Sequence, residues 1–327
     1  MKHLPALCLS IVLGFAALPA RAEEPAPLRI VTSFSILADM ARNVAGSRAT
    51  VTSLVGPDAD AHVFEPGPAD VAMLAEADVL IINGLGFEPW LVRLAASAKS
   101  KAKYVTASFG VNPIAYAEEQ GHDHDDHDDH GDHGHGHGHG HDEDGYPEAP
   151  QDFDPHAWQD LRNGVIYVHN IADALAEKDP ANATLYLANA ESYITELKKL
   201  HDWARAEIGR LPAEKRKVIT THDAFAYFSK AYGVEFHSPA GIGNPSDPSA
   251  EALARLVDQM RRENIRAIFM ENMGNPRMME TIARETGIEN GGTLYSDALS
   301  APGGPAPTYA AMFRHNVPVL IEAMQRN

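Results

Sequence analysis

The chain has 327 residues, 44% of them hydrophobic, and a formal net charge of -18. That length allows two domains or one large one, with most of the unfolded surface buried on folding. The acidic balance and the lack of a basic phosphate-binding face argue against nucleic acid as a partner and favour cations.

The elements begin with an export signal. Lys2 and His3 precede an apolar run over 4–18, and Pro19-Ala20-Arg21-Ala22 places small residues where a signal peptidase reads. Cleavage is expected after Ala22, which puts the mature chain in the periplasm and takes its charge to -20 as Lys2 and Arg21 leave. The run is short for a membrane span. The sole cysteine, Cys8, lies inside it, whereas a lipoprotein cysteine lies at its end. No lipid anchor is therefore expected, and any metal site in the mature chain must use imidazole and carboxylate.

A tail over 23–27 leads to a strand over 28–34 and a helix over 36–44. Residues 50–55 read as a second strand, followed by the turn-rich Gly56-Pro57-Asp58-Ala59-Asp60. A helix over 68–77, a buried-type strand over 79–83, a helix over 90–98 and a weak strand over 104–106 complete the first part. Alternating short apolar strands and helices argue an α/β layer with a mainly parallel sheet.

Residues 119–150 break that rhythm. Nine histidines, His122, His124, His127, His130, His133, His135, His137, His139 and His141, stand among Asp, Glu and Gly. With almost nothing apolar to bury, the segment reads as a disordered loop. Imidazoles beside carboxylates chelate divalent metals, so weak, exchangeable sites are expected here. Unperturbed histidine titrates near 6.5, so such binding fades in mild acid.

Structure resumes near Phe153. A helix over 161–177 stops at Asp179-Pro180, and Asn182 is placed to cap a helix reaching about Gly209. Leu185, Leu187, Ile194, Leu197, Leu200, Trp203 and Ile208 recur along it at roughly helical spacing. Near 28 residues, about 42 Å at helical rise, it is long enough to span two lobes. The same α/β rhythm then returns, with strands over 217–220, 234–236, 267–270 and 293–295 and helices over 224–232, 250–263, 277–286 and 309–324. Asp247-Pro248 reads as a cap before a first-turn proline, and 244–248 and 271–276 as polar loops. The expected domains are a signal peptide over 1–22, an N-terminal α/β lobe over 23–180, a linking helix over 181–210 and a C-terminal α/β lobe over 211–327.

Outside the tract, four residues sit in loops beyond inferred strands or beside helix starts: His62, His156, His222 and Asp297. Strand carboxyl ends are where open α/β sheets bind ligands, and three imidazoles with one carboxylate suit tetrahedral Zn²⁺. Separations of 94, 66 and 75 residues form no local metal motif, so these residues alone nominate the site weakly. No His-Glu-x-x-His helix, P-loop or Gly-x-Ser-x-Gly elbow is present.

The segments Ile30-Val31-Thr32-Ser33-Phe34-Ser35-Ile36, Gly56-Pro57-Asp58 leading to His62, and Asp154-Pro155-His156-Ala157-Trp158 carry a resemblance. So do His222-Asp223-Ala224-Phe225 with Tyr227-Phe228, Ile268-Phe269-Met270-Glu271, and Ser296-Asp297-Ala298-Leu299. Over its mature length the chain resembles the periplasmic zinc-binding proteins of the ABC-transporter solute-binding class, especially the subgroup with three histidines and one aspartate. The resemblance implies two Rossmann-like lobes joined by a rigid helix, with metal held between them by His62, His156, His222 and Asp297. It implies a His-rich insert before the second ligand, a permease and ATPase as partners, and no chemical step. Manganese-type relatives place a glutamate where this chain has His222, and nitrogen-rich sites suit zinc better than manganese. Some zinc-type relatives carry a lobe-two disulfide that this chain lacks.

Glu65, three residues after His62, is a candidate to orient a ligating imidazole, and Asp223 a candidate cap for the helix after it. A periplasmic chaperone that loads the protein is a further possible partner, and a monomer is expected. Zinc storage on the tract alone, metal-regulated adhesion and a zinc hydrolase are the competing classes. The last has no open coordination position if all four residues bind.

Overall fold

The computed structural model describes residues 26–115, 153–239, 249–274 and 276–327. The export segment, the tract histidines and the loop 244–248 lie outside the described residues.

Leu28–Thr32 (β1), Ala49–Ser53 (β2), Val79–Ile82 (β3) and Lys103–Thr106 (β4) form one sheet in the order β2-β1-β3-β4. Every pair is parallel. In central β3, Val79, Leu80 and Ile81 are fully buried, as expected of a parallel strand covered on both faces. Helices Ser35–Ala45 (α1), Pro68–Ala75 (α2) and Leu91–Ala98 (α3) connect these strands. Pro68 opens α2, where its missing N–H costs nothing, and Asp70 Oδ2 accepts from Gly67 N at 2.8 Å.

Leu161–Lys178 (α4) leads into Ala183–Gly209 (α5), a 27-residue helix about 40 Å long. Its buried stripe is Tyr186, Ala190, Tyr193, Ile194, Leu197, Leu200, Ala204 and Ile208. That stripe packs on α1 and α4 of the first lobe, and also on Ala226–Tyr232 (α6) and Tyr309–Met324 (α9) of the second. Two expectations for α5 are corrected. Leu185 and Leu187 are exposed because the stripe starts at Tyr186, one step round the helix. Asn182 does not cap with its side chain: its amide donates back to Asp179 Oδ2 at 2.7 Å, which also accepts from the Tyr186 hydroxyl.

In the second lobe, Lys217–Ile219 (β5) pairs in parallel with Glu235–His237 (β6). Met270–Glu271 (β7) pairs in parallel with Thr293–Leu294 (β8). A bridge between Ile219 and Ile268 joins the pairs, with Ile219 N on Ala267 O and Phe269 N on Ile219 O, both at 2.9 Å. The resulting order β6-β5-β7-β8 is all parallel. The strand expected over 267–270 is thus shared between that bridge and β7. Ala250–Glu263 (α7) and Pro276–Thr286 (α8) complete the layer. The described cap of α7 is Ser249, whose hydroxyl accepts from Ala252 N at 3.1 Å. Asp223 does not cap α6, which starts after Phe225 with no side-chain cap.

A continuous apolar core runs from the first sheet through α4 and α5 into α6 and α9. A smaller cluster around Ile219, Leu256, Met260 and Ile282 lies under α7 and α8. The lobes are also joined by polar bonds. Tyr309 N donates to Asp39 Oδ2 at 2.9 Å, Leu299 N to Ser35 Oγ at 3.0 Å, and the Tyr309 hydroxyl to Trp158 O.

Candidate metal centre

His62 lies in the loop between β2 and α2. Leu54 N and Val55 N continue the sheet pairing onto Thr32 O and Ser33 O. The Trp90 indole donates to Ala61 O at 2.8 Å, and His62 N donates to Asp60 Oδ1 at 2.8 Å. The Phe87 ring meets the imidazole edge-on at 4.8 Å, which fixes its plane.

The segment before α4 supplies His156, fully buried. Asp154 Oδ1 accepts from His156 N at 2.8 Å and lies 2.7 Å from its Nδ1. Asn83 Nδ2, from the end of β3, donates to Pro155 O, and the Tyr227 hydroxyl, from lobe two, donates to Asp154 O. In the turn that follows, Trp158 Nε1 and Gln159 Nε2 both donate to Ser296 O at 2.8 Å. The side chains that follow His156 are therefore tied to the residue before Asp297.

His222 follows β5. Glu271, at the end of β7, receives Thr221 N at 3.0 Å, His222 N at 3.1 Å and the Thr221 hydroxyl on Oε1. Its Oε2 lies 2.8 Å from His222 Nδ1. Asp297 follows β8, whose end is held by Asn316 of α9 through Tyr295 N and Tyr295 O.

These four loops bring His62, His156, His222 and Asp297 together, with all their candidate ligand atoms within 4.8 Å of one another. His62 Nε2 lies 3.3 Å from His156 Nε2 and 3.3 Å from Asp297 Oδ2. Asp297 Oδ2 is 3.5 Å from His156 Nε2 and 3.0 Å from His222 Nε2. A tetrahedron with bonds of about 2.0–2.2 Å has edges of about 3.3–3.6 Å; three of these four separations fall in that range and the fourth, at 3.0 Å, is shorter. Asp154 and Glu271 face the Nδ1 atoms of His156 and His222, so a proton is held there and Nε2 is the nitrogen left to bind a metal once it gives up its own proton. Asp297 Oδ1 and Asp154 Oδ2 are buried with no hydrogen-bond partner among the described residues, which is costly unless a cation is near.

Electrostatics point the same way. Burial alone would lower the His156 value, but Asp297 and Asp154 outweigh it and push it up to about 9. For His222, Glu271 and Asp297 outweigh burial and hold the imidazole well above its ordinary value. Against its own burial, Asp297 is held well below the usual carboxylate range by His156 and His222. Three carboxylates converging on three imidazoles make a centre that draws positive charge, as protons or as metal.

Glu65 is exposed, and among the described residues the carboxylates that reach cluster imidazoles are Asp154 and Glu271 instead. The local signal for Asp154 was its place two residues before His156. For Glu271 it was an acid ending a buried strand. A second group, Glu235, His237 and Glu263, is also close enough to hold an ion, but Lys217 pairs with both of its glutamates.

Two α/β lobes, a long helix packed on both and a cluster of three imidazoles and one carboxylate between them form the arrangement expected of a metal receptor. Residues 30–323 match the family described as zinc-uptake complex component A, periplasmic, and the chain belongs to that family. It is a metal substrate-binding component of an ABC transporter, which implies a permease and an ATPase, and the family is not enzymatic. The chain is 31% identical to the manganese-binding lipoprotein MntA of Halalkalibacterium halodurans, over 98% of this chain and 99% of that one. Identity is 32% to the metal ABC transporter substrate-binding lipoprotein SloC of Streptococcus mutans, over 97% of each. Among solved structures, the periplasmic zinc binding protein TroA of Treponema pallidum superposes with a TM-score of 0.78 at 25% identity, covering 91% of this chain and 99% of that one. No helix among the described residues is long and apolar enough to cross a membrane.

Proposed function

We propose that the protein captures Zn(II) between its lobes with His62, His156, His222 and Asp297 and delivers it to the importer. The observation that carries this is the convergence of three imidazoles and one carboxylate within 4.8 Å of one another, with Asp297 Oδ2 3.0–3.5 Å from all three Nε2 atoms. Nitrogen-rich donor sets favour zinc over manganese, and TroA, named for zinc, is among the similar structures. Ligation needs the imidazoles deprotonated, so affinity falls in acid. In this reading the chain is cut after Ala22 and works in the periplasm. Its tract, His122 to His141, raises local zinc or accepts it from a chaperone.

Manganese is the second reading. It is supported by the manganese-binding relative and by the unpartnered Asp297 Oδ1, which offers a hard oxygen for bidentate ligation.

Competition titration of the metal-free mature chain with zinc and with manganese separates the two, repeated after deleting residues 122–141. The expected result is one tight zinc site that survives the deletion and is lost in His222→Ala. Tight binding that disappears with the tract moves the function there. Tighter manganese than zinc replaces the cargo. A deletion that leaves loading rate and uptake unchanged at limiting zinc removes the tract from the pathway.

A further inference from the structure

Asp58 holds a left-handed backbone conformation, with φ 52°, which residues other than glycine adopt sparingly. Its polar groups cross the mouth of the cleft. The backbone N donates to Leu299 O at 2.9 Å. Oδ1 accepts from Asn272 Nδ2 at 2.9 Å, and Oδ2 from Ala301 N at 3.1 Å. Asn272 is itself fixed, its N on Leu294 O at 3.0 Å and its amide also within 3.3 Å of Ala298 O. Each partner stands next to the cluster in the chain. Asp58 comes four residues before His62, Leu299 two residues after Asp297, and Asn272 directly after Glu271.

We infer that Asp58 is a latch that sets how slowly a bound divalent cation leaves, by clamping the loop of His62 to the lobe-two loops of Asp297 and Glu271. This rests on the reading of the four-residue cluster as the cargo site. Asp58 touches none of the four ligand side chains, so it is a positioning residue. The latch does not seal the cluster: the His62 and His222 side chains keep 10% and 12% of their surface exposed, which leaves an ion a way in. Departure is different, because ligands on opposite lobes must part, and the three Asp58 bonds resist that separation.

Stopped-flow exchange between the mature protein and a fluorescent zinc chelator tests this in the wild type, Asp58→Gly, Asn272→Ala and the double variant. Glycine keeps the left-handed backbone without strain and removes only the side-chain bonds. The expected result is an off-rate raised about tenfold in Asp58→Gly, the weight of roughly one net hydrogen bond, with the on-rate changed less than about twofold. Asn272→Ala raises the off-rate by less, and the double variant exceeds Asp58→Gly only slightly, since the two share one bond. An unchanged off-rate, or on- and off-rates rising by the same factor, overturns the latch. Should Asp58→Gly lose its fold by circular dichroism, Asn272→Ala decides, and an unchanged off-rate there overturns it equally. If His222→Ala keeps tight zinc, the cargo site is wrong. Tight, His222-dependent binding with an unaltered off-rate in Asp58→Gly overturns the latch alone.

Discussion

Asp154 and Glu271 do more than accompany the imidazoles: each sets which nitrogen carries the proton, through contacts of 2.7 and 2.8 Å. Glu271→Gln and Asp154→Asn keep the shape but remove the charge. Each is expected to weaken zinc about 10–100-fold, measured by competition, while the fold stays intact. Wild-type affinity in both would mean that the Nδ1 contacts do not tune the site. Glu88 is a separate case at this scale. Burial pushes its carboxyl up to about 7, against donations from Ser33, Asn83 and Gly84. Its folded value lies above its unfolded value of 4.5. Its contribution to stability is therefore complete below about 4.5 and is lost as pH rises through about 7, a change on the order of 3 kcal/mol. Urea midpoints of metal-free wild type and Glu88→Gln from pH 4 to 8 should diverge accordingly, the wild type falling. Parallel profiles would sink the assignment.

Helix α4 meets α9 through a glycine. A Cβ on Gly164 would stand 2.7 Å from the Tyr309 hydroxyl and 2.9 Å from its ring. Tyr309 is fully buried and donates to Trp158 O, two residues from His156. Gly164→Ala therefore forces either the ring or the helix to move, at an expected cost of about 1–3 kcal/mol in a urea titration. Neutral stability would mean that the α4–α9 contact yields freely. The pairing of α4 with α9 was not legible in the sequence, because the closeness is set by two helices 145 residues apart in the chain. By contrast, α5 and the strands were legible through apolar period, and the errors fell at the ends, at Asn182 and at Leu185 and Leu187. Helix ends depend on which side chain finds a partner, and helical phase shifts with one residue of register.

For the molecule as a whole, the proposed site takes its ligands from both lobes, which links cargo to global stability. Zinc free at about 100 times its dissociation constant should stabilise the wild type by about 2.7 kcal/mol. That increment should vanish in His222→Ala and persist when residues 122–141 are deleted, as read from melting curves with and without zinc. An equal zinc effect in His222→Ala would place the stabilising ion elsewhere. With polar bonds from α1 to α9 and from Asp58 to three residues on two lobe-two loops, opening the cleft means breaking identified hydrogen bonds.

From the sequence alone, apolar period and breakers determined the α/β lobes and the long helix, while the loops after strands nominated the four candidate ligands only weakly and the family resemblance supplied them as a set. Period and breakers are local properties of a chain, readable over a few residues. Tertiary structure alone decided that loops 94, 66 and 75 residues apart converge to within hydrogen-bond range. It also decided that Asp154 and Glu271, not Glu65, face the imidazoles, and that Asp58 spans the cleft. Those facts depend on how two parallel sheets are set against one core, which fixes the direction of each loop and which is nowhere written in the spacing of the residues themselves.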